Sequence, residues 1–115
     1  MKLNTISGAG YLVVAPVGRI DQLTAVVFQE SVQPFVAQCS AAGKALILDF
    51  GAVEYLSSVG LRALMVTSRQ CKSAGVSLAI AGLQPLVQEV FDIARFQLVV
   101  RCFASTEAAI QALPA

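Results

Sequence analysis

After residue 20 the chain alternates between two apolar rhythms, and this alternation restricts its fold more than any other feature. Short apolar runs at 45–49, 76–81 and 98–100 are separated by stretches whose apolar residues recur three or four positions apart. Runs of that length suit buried strands, whereas the three-to-four spacing is that of one helix face. Strands that take turns with helices are joined by crossovers and lie parallel, in an α/β layer fold. The first residues add an antiparallel piece. Residues 2–7 (KLNTIS) alternate loosely, as an edge strand does; Gly8-Ala9-Gly10 supplies a turn, and Tyr11–Ala15 reads as the hairpin partner. Pro16 limits pairing at its end. The expectation is one α/β domain over residues 1–115, with a mixed central sheet of about five strands and about four helices.

The first helix is expected from Gln22 to about Ser40, with Asp21 as its N-cap and Thr24 at the third helical position. Its core candidates are Phe28, Val32, Phe35 and Val36, and Gly43 suits its left-handed end. Pro34 removes a backbone donor and predicts a kink or a split. A second helix is expected over about 58–74, closed by Gly75, and a third runs from Pro85 to Ala94. Ser105 opens a short terminal helix that turns Ile110 and Leu113 inward.

Several function classes are disfavoured by what the chain lacks. It contains no histidine, so no Ser-His-Asp or Cys-His pair can form and the commonest general base is missing. No GxGxxG or Walker-type loop occurs, and an enzyme, a metal site or a cofactor is not expected. Cys39, Cys71 and Cys102 form no CxxC pair and read as buried, reduced thiols. A net charge of +1, scattered singly, gives no nucleic-acid footprint. No run reaches the roughly 18 apolar residues of a membrane span, and the first residues do not make a signal peptide. A cytoplasmic location without membrane insertion is therefore expected. Hydrophobic residues still make up 57% of the chain, enough apolar surface for a partner to cover some of it.

The stretch 46–65, LILDFGAVEYLSSVGLRALM, carries the clearest functional signal. Leu46-Ile47-Leu48 is a buried strand ending at Asp49, residues 49–55 read as a connection, and helical spacing starts after Ser57-Ser58. One serine before a helix is an N-cap. The second hydroxyl stands unexplained at a helix N-terminus, where free N–H groups and the dipole favour negative charge. On a wheel of about 100° per residue, Gly60, Leu61, Ala63, Leu64, Thr67, Ser68, Cys71 and Ala74 share one arc. Arg62, Val66, Arg69 and Ser73 lie opposite, with Val59 beside them. Two valines on the outward arc read either as scattered surface apolarity or as a partner-binding patch of Val59, Arg62 and Val66 beside Ser58.

Asp49-Phe50, Val53 and Tyr55-Leu56-Ser57-Ser58-Val59-Gly60-Leu61-Arg62 resemble the signature of STAS domains of the anti-sigma-factor-antagonist type. The glycine–x–apolar–Asp step at Gly18–Asp21 and the segment Leu83–Phe96 extend the resemblance over nearly the whole chain. Aligned on Gly60-Leu61, the family's phosphorylated serine falls on Ser58, with Ser57 as second choice. Ser57 stands where the family carries aspartate, and Val59 where it carries serine. The resemblance implies a STAS-like fold and a non-enzymatic, phosphorylation-switched binding module. Its implied partner is an anti-sigma factor that is also a serine kinase; a serine phosphatase and a homodimer are further partners it admits. Unmodified, such a module binds the anti-sigma factor and frees the sigma factor. It also gives Asp21, otherwise a plain cap, a second role in shaping the partner surface near Ser57 and Ser58. The alternative is a non-enzymatic STAS subunit of a larger assembly, a lipid-transport ATPase complex or a signalling scaffold.

Overall fold

A computed structural model describes residues 1–113. In chain order the elements are β1 (Leu3–Gly8), β2 (Tyr11–Pro16), β3 (Gly18–Ile20), α1 (Ala25–Ala42), β4 (Ala45–Asp49), β5 (Val53–Leu56), α2 (Ser58–Ser73), β6 (Leu78–Ala81), α3 (Pro85–Ala94), β7 (Arg101–Phe103) and α4 (Thr106–Gln111). Five strands form a mixed sheet in the order β1-β2-β4-β6-β7, with β1 antiparallel to β2 and every other pair parallel. The expected α/β architecture, with its N-terminal hairpin and four helices, is the one observed.

Leu46, Ile47 and Leu48 of β4 are all fully buried, as a strand covered on both faces requires. Helices α1, α2 and α3 cover one face and share its core with Leu12, Val14, Leu46, Leu48 and Ile80. Four phenylalanines run through that core edge to face: Phe28 to Phe50 at 6.5 Å, Phe50 to Phe91 at 6.4 Å, and Phe91 to Phe96 at 5.0 Å. The other face is smaller. There α4 packs on Val13, Ile47, Ala79 and Ala81, with Ile110 and Leu113 turned toward the sheet as expected. No helix among the described residues is long and apolar enough to cross a membrane.

Four local expectations are corrected. Helix α1 runs unbroken through Pro34, which lies on its exposed side, where water can satisfy the carbonyl freed one turn earlier. The last strand is not 98–100 but Arg101–Phe103; a single 3-10 turn, Phe96–Leu98, takes its place. Phe96 and Val100 plug into the core, and this leaves Leu98 83% and Val99 58% exposed. Residues 53–55, read as connection, belong with Leu56 to β5, which pairs parallel with β3 in a separate two-stranded sheet. Finally, Cys102 is half-buried while Cys39 and Cys71 are buried.

Candidate functional site

The small sheet β3–β5 holds the start of α2 in place. Ser57 leaves β5 with an extended backbone and caps α2, its Oγ accepting from the Gly60 N–H at 3.1 Å. Its own N–H donates to the Ile20 carbonyl at 3.0 Å, tying the helix start to the end of β3. Gly60 makes this approach feasible. A Cβ at that position would lie 2.3 Å from the Ile20 oxygen and 2.9 Å from Leu56 Cδ1. The buried arc read from the wheel, with Gly60, Ala63, Leu64, Thr67 and Cys71 inside, is the face that docks.

The two serines consequently differ. Ser57 is half-buried and its hydroxyl is engaged in the cap. Ser58 is the first residue of α2 and exposed, and among the described residues its hydroxyl has no hydrogen-bond partner. Val59, next to it, is 45% exposed. Arg62, one turn on, is exposed and forms no salt bridge among the described residues. Val66 lies apart from them. It is half-buried in a shallow groove with Gln33 of α1 and with Arg69 and Gln70, so it contributes less open surface than the wheel implied.

Asp21 follows Ile20 directly and so borders the same junction. It is not the residue that caps α1, because the helix begins later, at Ala25 after Thr24. Its carboxylate instead closes a tight turn, accepting from the Leu23 N–H at 3.0 Å, while its backbone oxygen receives Thr24 and Ala25. The delay has a local cause: Thr24 Oγ1 accepts from the Asp21 N–H at 3.0 Å and donates to the Arg19 carbonyl at 2.8 Å, which favours the turn over a helical start. Although its side chain is largely enclosed, the Leu23 N–H holds the carboxyl below its ordinary ionisation range, outweighing the cost of desolvation, with Arg19 and Thr24 adding to the effect.

Arg19 and Tyr55 lie within the segments that carry the family resemblance but were not among the site residues expected from the sequence. They face each other across β3 and β5, the guanidinium 4.2 Å from the centre of the Tyr55 ring and its Nε 3.3 Å from Asp21 Oδ2. The Arg19–Asp21 spacing could have indicated a same-side pair on a strand, but nothing in the sequence announced that β3 would find β5. Beside them an open groove of about 620 Å³, lined by Val17, Arg19, Asp21, Leu23 and Val27, continues along the start of α1. Leu23 there is 82% exposed. Asp21, Ser57, Ser58 and Val59 thus gather at one end of the small sheet, with Arg62 one turn away and Val66 two.

A family model described as the STAS domain matches residues 1–109. The chain is 34% identical over 76 residues to BtrV of Bordetella bronchiseptica, named as a candidate anti-sigma factor antagonist, and the alignment covers 66% of each. It is 39% identical over 61 residues to the anti-sigma-F factor antagonist RsfB of Mycobacterium tuberculosis, covering 53% of this chain and 48% of RsfB. The chain therefore spans about half to two thirds of the curated relatives it matches. The crystal structure of an anti-sigma factor antagonist from Mycobacterium paratuberculosis superposes with a TM-score of 0.83, over 96% of this chain and 92% of that one. At 23% identity this is a likeness of fold.

Proposed function

Because the chain belongs to the STAS domain family, we propose that it is an anti-sigma factor antagonist, a binding module without catalysis of its own, switched by phosphorylation of Ser58. The observation that carries this reading is the division of labour between adjacent hydroxyls. Ser57 is occupied as the cap of α2, which leaves Ser58 as the free, exposed hydroxyl beside Val59 and Arg62. The curated relatives named as anti-sigma factor antagonists supply the partner class.

The switch follows from charge. A phosphate on Ser58 would add about −1.5 to −2 charges and three acceptor oxygens. At the first turn of α2, free N–H groups and the dipole tolerate that charge, so the domain itself need not rearrange. The cost falls on the partner. An apolar surface seated on Val59 would have to desolvate a dianion, and the complex would dissociate. Unmodified, the domain binds a kinase-type anti-sigma factor and releases the sigma factor; modified by that kinase, it lets go. Asp21 contributes by fixing the turn beside the junction, and Arg62 and Val66 extend the contact along α2.

The test is incubation with the kinase-type anti-sigma factor, followed by mass spectrometry and a binding measurement. Phosphate is expected on Ser58. Ser58→Ala should remain unmodified yet bind, and Ser58→Asp should bind more weakly, one charge imitating a phosphate in part. Phosphate on Ser57 alone would overturn the residue assignment. A second reading, a structural STAS subunit of a larger assembly, draws on Ser57 standing where the family carries aspartate. Partner binding with no phosphate on either serine would favour it.

A further inference from the structure

The two edges of the five-stranded sheet are built differently. β7 is three residues long and carries Arg101, whose guanidinium lies 5.0 Å from the centre of the Phe103 ring. Shortness and charge are common means of keeping an edge strand from pairing with another chain. β1 uses neither. Its six residues include no charge and no proline, and Asn4, Thr5, Ile6 and Ser7 are all exposed. Ile6 is 65% exposed.

The hairpin decides which backbone groups of β1 are free. Gly8 pairs with Tyr11 across a two-residue turn, and such a closing pair exchanges both ladder hydrogen bonds. Alternation along the ladder makes Ile6–Val13 and Asn4–Ala15 bonded pairs as well. Leu3, Thr5 and Ser7 then occupy the non-bonded positions, with N–H and C=O groups directed away from β2. Pro16 agrees with this parity: it has no N–H, and it sits opposite Leu3, where none is needed. Beyond β1 the sheet has no further strand among the described residues.

We infer that β1 pairs antiparallel with β1 of a second copy of this chain, about a two-fold axis at Thr5, joining the two sheets edge to edge. In this register Thr5 faces Thr5, and Leu3 faces Ser7 of the other copy, for about six new backbone hydrogen bonds. Asn4 falls opposite Ile6, bringing the two exposed Ile6 side chains into diagonal reach. Lys2 falls opposite Gly8, so no like charges meet. That neutrality is what singles out a second copy as occupant. A two-fold axis at Thr5 sets that side chain against its own duplicate and brings the duplicates of its neighbours within diagonal reach, and a strand whose own residues carry no charge suffers no repulsion from this. The inference uses the sheet edge alone and is independent of the phosphorylation of Ser58.

One strand buries less than the roughly 800 Å² per partner of a standard stable interface. The dimer should therefore be weak, with a dissociation constant of about 10 μM to 1 mM. Sedimentation velocity of the 115-residue chain across that range is expected to show a growing dimer. Amide exchange at Thr5 and Ser7 should slow with concentration, while Asn4 and Ile6 stay protected throughout. Thr5→Pro removes an outward N–H that β2 does not use, and Thr5→Lys sets two like charges face to face. Each should weaken dimerisation at least about tenfold with an unchanged far-ultraviolet spectrum; should Thr5→Pro disturb the hairpin, Thr5→Lys decides alone. A chain that stays monomeric to about 1 mM, or a dimer undiminished by Thr5→Lys, overturns the inference. So does concentration-dependent protection confined to residues outside β1.

Discussion

Replacing Gly60 by alanine adds one methyl group at the point where α2 meets β3. The new Cβ would lie 2.3 Å from the Ile20 carbonyl oxygen, while ordinary contact begins near 3.4 Å, so the helix start must retreat by roughly 1 Å. The same oxygen accepts from the Ser57 N–H at 3.0 Å, and a retreat of that size stretches the bond past usefulness. Overpacking of this kind costs about 1–3 kcal/mol, and the lost hydrogen bond about 0.5–1.5 kcal/mol. Alanine returns about 1 kcal/mol, because glycine is a poor helix former. The balance is a loss of about 1–3 kcal/mol, which for a domain of about a hundred residues lowers the melting temperature by roughly 5–15 °C. Thermal melts followed by circular dichroism, with urea titration as a second measure, read this directly. A Gly60→Ala protein that melts at or above the parent temperature would refute the close approach of α2 to Ile20, and with it the placement of Ser57 and Ser58. Gly60→Leu should be worse, since it adds three more carbons where a Cβ alone already crowds Ile20 and Leu56.

Val59→Asp should change stability by no more than about 0.5 kcal/mol and weaken partner binding, whereas Val66→Asp, against α1, should cost about 1–3 kcal/mol; urea midpoints and a binding titration separate the two. Unfolding by Val59→Asp would place that residue in the core. Asp21 gives a pH signature. Its folded carboxyl ionises below the ordinary 3.8, so its stabilisation is complete above that value and is lost as pH falls through the lower folded one. Asp21→Asn should be less stable than the parent near neutral pH, with the difference closing as the pH falls below 3.8 and the folded carboxyl takes up its proton; a difference that persists once that carboxyl is protonated would mean the charge is not its cause. Burial pushes the Cys71 thiol up to about 11 and raises Cys39 as well. Burial, with Asp92 adding to it, raises Cys102 too, so access decides the order: an alkylating reagent at about pH 8 should modify the half-buried Cys102 first and the buried Cys39 and Cys71 only on unfolding, as peptide mass mapping would report.

Features written within a few consecutive residues were legible in the sequence. The apolar triplet Leu46–Leu48, the helix Pro85–Ala94 and the cap at Ser105, which accepts from the Ala108 N–H at 3.1 Å, each rest on spacing or on a hydrogen bond spanning one turn. The same holds for the docking face of α2, because a helix of fixed pitch turns sequence order into direction. The alternation of these elements then left few topologies, and a mixed sheet with parallel crossovers was among them. The features that the sequence did not disclose depended on partners far along the chain. β3 and β5 are three and four residues long, too short to carry a rhythm, and each becomes a strand only because the other lies beside it. Their pairing is what sets Arg19 on Tyr55 and brings Asp21 to the start of α2. The last strand shows the opposite case, a run with strand-like residues that is not one. Leu98 and Val99 face solvent because Phe96, packed 5.0 Å from Phe91, takes the core position and fixes the register of the residues after it. Local chemistry decided which segments could be helices or strands; which of them met, and which of two adjacent serines was left free, was decided by packing across the fold, since burial and pairing are properties of neighbours in space.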